Sequence, residues 1–390
     1  MDADGVQRRV AGVAEGFARD RRDRLGRTSL HREDFDALSD AGLRTAILPE
    51  RRGGLWRDLR SSARPLCELH RVLAQGDPSV ALVCSMHPSV LAFWLAMDQV
   101  PGDDGPAWER QREQVLDTVA DGAWWGTATS EPGTGGDVTR SRAVARRDGN
   151  AGGDAPGWRI EGQKHFGSGS GMTSFMLTTA VAEGEDGPDW FYVPMPPEPF
   201  DGRAGVRLLA AWDGHGMLAT QSHALALEGV PAHRVAWPGH LQDLIAAAAP
   251  FFGALFSAVV LGVLQSAVEA ARAQLAPRAE ALRAFERVEW AQAELEAWTA
   301  EQAYEGILRA IESGRPARGA AVRGKTAIAQ LAESSMTRVC RVVGGGTFAR
   351  SSPFGAWFED VRALGFLRPP WGLAYDSLFA EATPAPAESA

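Results

Sequence analysis

Two glycine-rich stretches in the middle of the chain carry residue types that could hold a ligand. The first, residues 126–137, reads GTATSEPGTGGD and combines four glycines, three threonines, one serine and one proline. Glycine and proline disfavour a helix interior. A loop of this composition lets backbone N–H groups and small hydroxyls approach a flat or anionic ligand closely. A flexible surface turn is the alternative for this segment taken alone.

The second stretch follows on the C-terminal side of the first. Residues 158–164 read WRIEGQK, which predicts a strand, and residues 165–171 read HFGSGSG, which predicts another loop of small residues. A pair of strands that each end in a glycine-rich loop can present both loops to one place. The two stretches together therefore predict a shared ligand site.

The order and spacing of these residues resemble the acyl-CoA dehydrogenase superfamily. In that family a T/S-E-P-G-x-G-S-D segment and a later G-x-K-x-W/F-x-T/S-x-G segment embrace a flavin ring. Here the two segments are SEPGTGGD, residues 130–137, and GQKHFGSG, residues 162–169. Gly136 stands where the family usually has serine, which removes one hydroxyl near the flavin.

The distribution of residue types along the chain agrees with the fold that the resemblance implies. Helical patterns dominate up to about residue 118, alternating strand-like runs separated by turn residues follow, and helical patterns return after Pro238. We therefore expect an α+β protein of the acyl-CoA dehydrogenase type. The predicted parts are an α-helical N-terminal domain (1–121), a β-barrel middle domain holding the flavin ring (122–237), a C-terminal four-helix bundle (238–382) and a disordered tail (383–390).

Within this organisation, the helix and strand signals predict particular elements. Thr28–Ser29 is the expected N-cap of a helix that starts at Leu30, with acidic residues in its first turn. Residues 45–49 are expected to be extended. Further helices are predicted over about 62–75, 79–97, 241–275, 280–313 and 319–343 and after Pro370.

The resemblance also implies which residues contact the cofactor. A flavin ring needs hydrogen-bond donors along its polar edge and an apolar wall. The predicted cofactor residues are Thr129, Ser130, Gly135, Gly136, Phe166 and Ser168 of the two loops, Arg283, and Gly344 and Gly345. Gly344 and Gly345 match a segment that in the family contacts the cofactor of a neighbouring subunit, so a homodimer or homotetramer is expected. Arg283 matches only weakly a signature that holds the FAD pyrophosphate, so FAD is the expected cofactor with FMN as the alternative.

The residue at the position of the family's catalytic base is not a base. A desaturating acyl-CoA dehydrogenase removes a proton from the substrate with a carboxylate in an apolar pocket. The usual position of that carboxylate is occupied here by Arg368. The second position known in the family falls near Phe252. Neither can abstract a proton.

Three functions remain open on these grounds. The first is a flavin-dependent oxidoreductase acting on an acyl-CoA or similar thioester, with an electron-transfer flavoprotein as partner. The second is a two-component monooxygenase that takes reduced flavin from a separate flavin reductase and uses O2 on an acyl or aromatic small molecule. For that function His87 is the candidate proton donor, and the alternative is a residue near a helix N-terminus whose ring has a satisfied hydrogen bond. The third is a flavoprotein scaffold without activity.

Composition and charge exclude several other classes. The formal net charge is −9 with a pI of about 5.5, so no general attraction to nucleic acid is expected. Three cysteines without paired spacing predict neither a disulfide framework nor a metal site. Residues 244–268 carry no charge, but Pro250 and Gly253 interrupt them, which favours a buried helix over a membrane span. A cytoplasmic protein is expected.

Overall fold

The computed structural model describes residues 1–149 and 157–383. Within these ranges the chain forms eleven α-helices and seven β-strands. The helices are α1 (Ala3–Arg19), α2 (Arg21–Arg24), α3 (Arg32–Asp40), α4 (Leu59–Gly76), α5 (Pro78–Leu95), α6 (Gly105–Ala120), α7 (Leu241–Leu275), α8 (Ala284–Glu312), α9 (Arg318–Val343), α10 (Pro353–Phe366) and α11 (Trp371–Ala382). The strands are β1 (Trp125–Thr127), β2 (Val144–Arg147), β3 (Trp158–Gly167), β4 (Phe175–Ala182), β5 (Pro188–Pro194), β6 (Val206–Ala210) and β7 (His223–Arg234). Helices before and after a central barrel give the predicted acyl-CoA dehydrogenase-like fold class.

Two capped helices form the centre of the N-terminal part. Asp58 accepts a hydrogen bond from the Ser61 N–H at the start of α4, and Asp77 accepts one from the Val80 N–H at the start of α5. Every residue of α5 after Pro78 is buried. An all-round apolar helix of this kind belongs in the interior of a helical layer.

The start of α3 differs from the prediction. The helix begins at Arg32 with His31 at the N-cap position, so Thr28–Ser29 as the N-cap is wrong. Leu30 is buried, and its N–H donates to Oε1 of Gln221 at 3.2 Å, which holds this segment in a non-helical conformation. Of residues 45–49, which were predicted to be extended, 45–47 form turns and Leu48 a bend, whereas Pro49 makes a β-bridge with Trp56. Three consecutive residues here are buried, Ala46, Ile47 and Leu48, and a half-buried strand would expose alternate side chains.

The seven strands form one sheet that closes on itself. The strands pair in the order β4–β2–β3–β7–β5, and β5 pairs again with β4 to complete the barrel. Strand β1 pairs in parallel with β4, and β6 pairs with β7. The barrel core is filled by alternating side chains, among them Trp158, Ile160, Met176, Phe191 and Leu225. The two glycine-rich loops lie at the end of the closed barrel that faces the helices.

Helix α7 is the main connection between the two helical parts. Its side chains are largely buried, and the same hydrophobic cluster includes residues of α4, α5, α9 and α10. Both α5 and α7 are long and apolar enough to cross a membrane, but 94% and 72% of their apolar windows are buried inside the protein. The expectation that residues 244–268 form a buried helix is confirmed.

The C-terminal helices mostly follow the predicted pattern. Helices α8 and α9 begin and end close to the expected residues, and α11 follows Pro370 as expected. Helix α10 is an addition that sequence analysis did not predict. The domain limits at 121/122 and 237/238 stay a prediction, and residues 384–390 of the expected disordered tail lie outside the described residues.

Candidate active site

The two glycine-rich stretches lie against each other, as the sequence pattern predicts. The His165 N–H donates to the carbonyl oxygen of Ser130 at 2.8 Å, in an antiparallel bridge between the two segments. Thr129, Ser130, Phe166 and Ser168 all line one large cavity as a result. The loops therefore come together at a cleft and are not independent surface turns.

A buried ion pair fastens the two stretches to each other. Nζ of Lys164 lies 2.5 Å from Oε1 of Glu131, and the two side chains are 0% and 4% exposed. Lys164 also donates to the Thr179 carbonyl at 2.6 Å, and Glu131 accepts from the Arg142 N–H at 2.7 Å. Burial lowers the pKa of Lys164 to about 8 although Glu131 opposes the shift. The glutamate and the lysine of the two motifs thus act as a structural clamp.

The cavity is large and mostly apolar. Its volume is about 1050 Å³, at the upper end of the range of roughly 300–1,000 Å³ for ligand pockets. The barrel loops form one side, and helices α5, α7, α9, α10 and α11 contribute the others. The apolar wall includes Met86, Val90, Phe93, Trp190, Trp212, Ile245, Phe252 and Phe256.

The polar edge of the cavity fits a flavin ring. Hydroxyl groups of Thr129, Ser130, Ser168 and Ser222 line it beside the apolar wall, which is the combination that an isoalloxazine needs. The Ser168 and Ser222 hydroxyls are within 2.8 Å of each other. Gly135 and Gly136 both adopt positive φ, 63° and 84°, in the loop that lines the cavity. These residues can hold a flavin without a change in the fold.

Phe166 has an unusual backbone at the predicted ring position. Its φ is +56°, a conformation that bulky residues rarely adopt, and its side chain is 60% exposed beside Trp212, 6.1 Å away between ring centroids. Strained residues of this kind cluster at ligand sites. Met217 is a second lining residue with positive φ, +51°. Both observations support a ligand at this end of the barrel.

The loop that contains Met217 is tied to α10. The Met217 N–H donates to Oδ1 of Asp360 at 2.6 Å. A Cβ atom at Gly216 would lie 2.5 Å from the backbone of Glu359, so only glycine permits this approach. Burial raises the pKa of Asp360 to about 7, because the carboxylate is removed from water and has only a backbone donor. Helix α10 is thereby held over the barrel loops.

Arg368 reaches from the segment after α10 into the glycine-rich loop. Its guanidinium donates to Oγ1 of Thr129 at 2.8 Å, to Oγ of Ser130 at 3.4 Å and to the Gly136 carbonyl. Burial lowers the pKa of Arg368 to about 10, and Asp137 opposes the shift. At this pKa the group stays charged at neutral pH. Arg368 thus lies among the predicted flavin contacts, as a cation and not as a base.

Lys325 is a further cation that lines the cavity, beside Arg318, Arg362 and Arg368, and it was not among the residues predicted from the sequence. Lys325 of α9 is 2% exposed, and Nζ donates to the carbonyl oxygen of Pro369 at 2.8 Å. Burial lowers the pKa of Lys325 to about 7. One available signal was its rarity, because Lys164 and Lys325 are the only lysines in the sequence and every other basic residue among the forty is arginine.

The position of His87 does not support the role of proton donor. The ring is 1% exposed and does not line the cavity. Nε2 donates to the Arg44 carbonyl at 3.0 Å, and Nδ1 accepts from the Trp125 N–H at 3.0 Å. Burial lowers the pKa of His87 to about 3, so the ring is neutral. We therefore correct that expectation: His87 fixes the start of β1 behind the cavity wall.

Three predicted cofactor residues lie away from the cavity. Arg283 is the exposed N-cap residue of α8. Gly344 ends α9 and Gly345 begins the short 3-10 turn that follows. None of the three lines the cavity in this chain. A contact with a neighbouring subunit's cofactor stays a prediction for the two glycines.

The carboxylates that line the cavity are all engaged with other groups. Glu131 is paired with Lys164, and Glu359 is paired with Arg362 at 2.6 Å. Asp137 accepts from the Thr139 N–H at 2.9 Å and from its hydroxyl at 2.7 Å. No carboxylate among these lining residues stands unpaired in apolar surroundings, which is what proton abstraction from a carbon acid requires.

Comparisons with known proteins agree with this architecture. Residues 126–230 match the family model described as "Acyl-CoA dehydrogenase, middle domain". The solved structure of a nitrososynthase from Micromonospora carbonacea var. africana has a TM-score of 0.79 at 22% identity, covering 98% of this chain and 97% of that one. FMN-bound TdsC from Paenibacillus sp. A11-2 has a TM-score of 0.77 at 20% identity, covering 96% of each chain. These matches confirm the resemblance to the acyl-CoA dehydrogenase superfamily and its fold.

A curated relative is also similar in sequence. The chain is 28% identical over 278 residues to the "Probable FMNH2-dependent monooxygenase SfnC" of Pseudomonas putida. The match covers 68% of this chain but 60% of that protein.

Proposed function

We propose that the protein is a flavin-dependent monooxygenase that uses reduced FMN, supplied by a separate flavin reductase, and O2. The observation that carries the proposal is Arg368, which stands at the position of the dehydrogenase base and donates to Thr129 and Ser130. A permanent cation there cannot remove a proton, and the lining carboxylates are paired. The name of the curated relative also favours this function over acyl-CoA desaturation.

The reaction balances without a carboxylate base. The substrate gains one oxygen atom of O2, the other leaves as water, and the two electrons and two protons come from the reduced flavin. When bound, the flavin supplies the electrons that activate O2. Thr129, Ser130 and Ser168 would hold its polar edge, and the apolar wall with Phe252 and Phe256 would keep bulk water out. Arg368 would stabilise negative charge that develops beside the ring.

FMN is the cofactor that the site supports better than FAD. Arg283 was the residue expected to hold the FAD pyrophosphate, and it is exposed outside the cavity. The names of a relative and of a similar structure refer to FMNH2 and FMN. The substrate would be a small molecule that shares the cavity with the ring. A cytoplasmic location and a homodimer or homotetramer complete the proposal.

Acyl-CoA desaturation is the second candidate. Its support is the match of residues 126–230 to the acyl-CoA dehydrogenase middle domain. Such an enzyme would pass electrons to an electron-transfer flavoprotein. It would need a base other than the residues at 368 and 252, so this candidate ranks second.

One experiment separates the two functions. The purified protein is titrated with FMN and with FAD by fluorescence quenching, and the complex is then mixed anaerobically with octanoyl-CoA. We expect tighter binding of FMN and no bleaching. In a second arm the protein, a flavin reductase, NADH and ¹⁸O2 are incubated with aromatic and acyl compounds, and we expect products that carry one ¹⁸O. Bleaching by the thioester, without ¹⁸O in any product, would contradict the proposal.

A further inference from the structure

We propose that Arg368 and Lys325 together bind the carboxylate of the substrate, so that the protein acts on an organic acid. The inference rests on the proposed function in one respect, because it places the substrate in the same cavity as the flavin. It goes further in naming the substrate class and the two side chains that select it.

The same turn carries one cation and binds the other. Lys325 donates to the carbonyl oxygen of Pro369 at 2.8 Å, and Pro369 directly follows Arg368 in the chain. The bond to Pro369 uses one of the three N–H groups of the lysine ammonium. Both side chains line the same cavity, so each can contact a ligand that occupies it.

Neither cation has a carboxylate partner among the described residues. The hydrogen bonds of Arg368 go to two hydroxyls and a carbonyl, and that of Lys325 goes to a carbonyl. Asp137 acts on Arg368 only through space, since its own hydrogen bonds go to Thr139. Lys325 is 2% exposed and Arg368 is partly buried, and a charge withdrawn from water without a counter-charge is costly. An anion from outside the chain would remove that cost.

Two buried cations elsewhere in the protein, Lys164 and Arg24, show how the fold stabilises a charged side chain that has a structural role. Lys164 is buried against Glu131 at 2.5 Å. Arg24 is buried against Asp34 and Asp77, both at 2.7 Å. Each of these has an acid beside it, and neither of them lines the cavity. Arg368 and Lys325 differ in both respects, which points to a ligand and not to a structural role.

The surroundings define the rest of the ligand. The neighbouring wall is apolar, with Val90, Phe252 and Phe256 among its side chains. A guanidinium matches the two oxygens of a carboxylate, and an ammonium adds a point charge. The chemistry is therefore that of an aromatic or aliphatic acid, whose carboxylate meets the two cations while its body meets the wall.

The flavin phosphate is the competing anion, and the contacts of Arg368 argue against it. Arg368 donates to Thr129 and Ser130, which are the residues proposed to hold the ring. The phosphate of a flavin held at those residues lies a full ribityl chain away from them. Arg368 is thus next to the residues proposed to hold the ring, and the substrate must also lie near that ring.

The test compares acids with their neutral carboxamides. Benzoate, phenylacetate and octanoate, each beside its amide, are titrated by calorimetry into the FMN-free and the FMN-bound protein. We expect at least one acid to bind ten times more tightly than its amide. In Lys325→Met and in Arg368→Met this ratio falls at least fivefold, and Arg368→Lys keeps part of it. Arg323→Met, an exposed residue of the same helix that pairs with Glu381, is the matched control and keeps the full ratio.

Several outcomes would overturn the inference. One is equal binding of every acid and its amide by the wild-type protein, a result that does not depend on any variant folding. Another is a tenfold loss of FMN affinity in Lys325→Met or Arg368→Met with an unchanged acid-to-amide ratio, which would assign the cations to the phosphate. The two proposals fail separately: binding of an acid without binding of FMN would contradict the flavin function only, and binding of FMN without preference for acids would contradict this inference only.

Discussion

Lys164 and Glu131 lie on different glycine-rich segments, and their charged atoms are 2.5 Å apart in the interior of the protein. The pair joins β3 to the loop that carries Thr129 and Ser130. The positions of the Thr129 and Ser130 hydroxyls, which are proposed to hold the ligand, therefore depend on an ion pair that is shielded from bulk solvent.

Loss of the Glu131 charge should destabilise the protein strongly. In Glu131→Gln the Lys164 ammonium stays buried without a counter-charge, and breaking such a pair costs roughly 3–5 kcal/mol. Glu161→Gln removes the partner of Arg146 in an exposed pair, and we expect a change below about 1 kcal/mol. Urea denaturation of both variants measures the difference. Equal stabilities would show that the buried pair is not a clamp.

Asp360 should make stability depend on pH. Its pKa is raised from 3.8 to about 7 in the folded protein, so the folded state binds the proton more tightly than the unfolded state. The stabilisation is complete below about pH 4 and is lost as pH rises through 7. The Met217 N–H faces the carboxylate, and Asp77 and Glu359 are the nearby acids that add to the shift.

The variant Asp360→Asn keeps an acceptor for Met217 and cannot ionise. We expect it to be more stable than the wild type at pH 8.5, by an amount of the order of a few kcal/mol, and to lose that advantage at pH 4. Thermal melts at both pH values give the comparison, with Asp376→Asn on the exposed face of α11 as the control. A constant difference across pH would be incompatible with a raised pKa.

Ser168→Ala should weaken the binding of FMN. The Ser168 hydroxyl lines the cavity and lies 2.8 Å from that of Ser222. Loss of one hydrogen bond to the ring is worth about 0.5–1.5 kcal/mol, or about a two- to tenfold rise in Kd. Fluorescence quenching measures the affinity, and Ser313→Ala at the end of α8 should leave it unchanged. An unaltered Kd in Ser168→Ala would place the ring elsewhere.

Gly136→Ala tests the fit of the loop against the segment after α10. A Cβ atom would sit at φ +84° and 3.0 Å from Cγ of Pro370. Gly184 has nearly the same φ, +86°, with no heavy atom within 4 Å of its Cβ position. Each alanine should cost about 1–2 kcal/mol through the left-handed backbone. We expect only Gly136→Ala to reduce FMN affinity in addition, and an equal effect of the two on FMN would argue against the contact.

The binding of an acid should weaken as pH rises through about 7. The pKa of Lys325 is lowered to about 7, so the ammonium is charged below that pH and neutral above it. Calorimetric titrations with benzoate between pH 6 and 8.5 should show this loss in the wild type and not in Lys325→Met. A wild-type profile that persists in Lys325→Met would identify another titrating group. The other charged or titratable residues that line the cavity are Glu131, Asp137, His165, His215, Arg318, Glu359, Arg362 and Arg368.

The sequence predicts the site best where the residue types of a segment and its place in the order of motifs point to the same structure. The glycine and proline residues of 126–137 exclude a helix, and the motif order placed residues 129–130 and 166–168 at one site. The assignment of Arg368 to the position of the base stays a prediction, and the structure adds its hydrogen bonds to Thr129 and Ser130. The partner of a buried residue is harder to predict, because pairing depends on the tertiary fold. Lys325 is one of only two lysines in the chain, the other being Lys164, but its burial depends on the tertiary fold and does not follow from the residues of α9.

His87 illustrates the opposite error. A histidine near a predicted flavin site suggests proton transfer, yet its two ring nitrogens are used by backbone groups of Arg44 and Trp125. Those backbone groups are distant in sequence, so nothing in the local residues reveals them. The N-cap of α3 was predicted wrongly for the same reason. A hydrogen bond between Leu30 and Gln221, 191 residues away, holds the backbone before α3 in a non-helical conformation.

The hydrogen bond between Thr129 and Arg368 joins residues 239 positions apart. At translation rates of about 5–20 residues per second, roughly 10–50 seconds separate the synthesis of the two. During that interval the barrel loop emerges without the arginine, the lysine or the last helices that enclose its ligand. The hydrogen bond between Thr129 and Arg368, and the cavity wall that this arginine completes, can therefore form only after residue 368 has been synthesised.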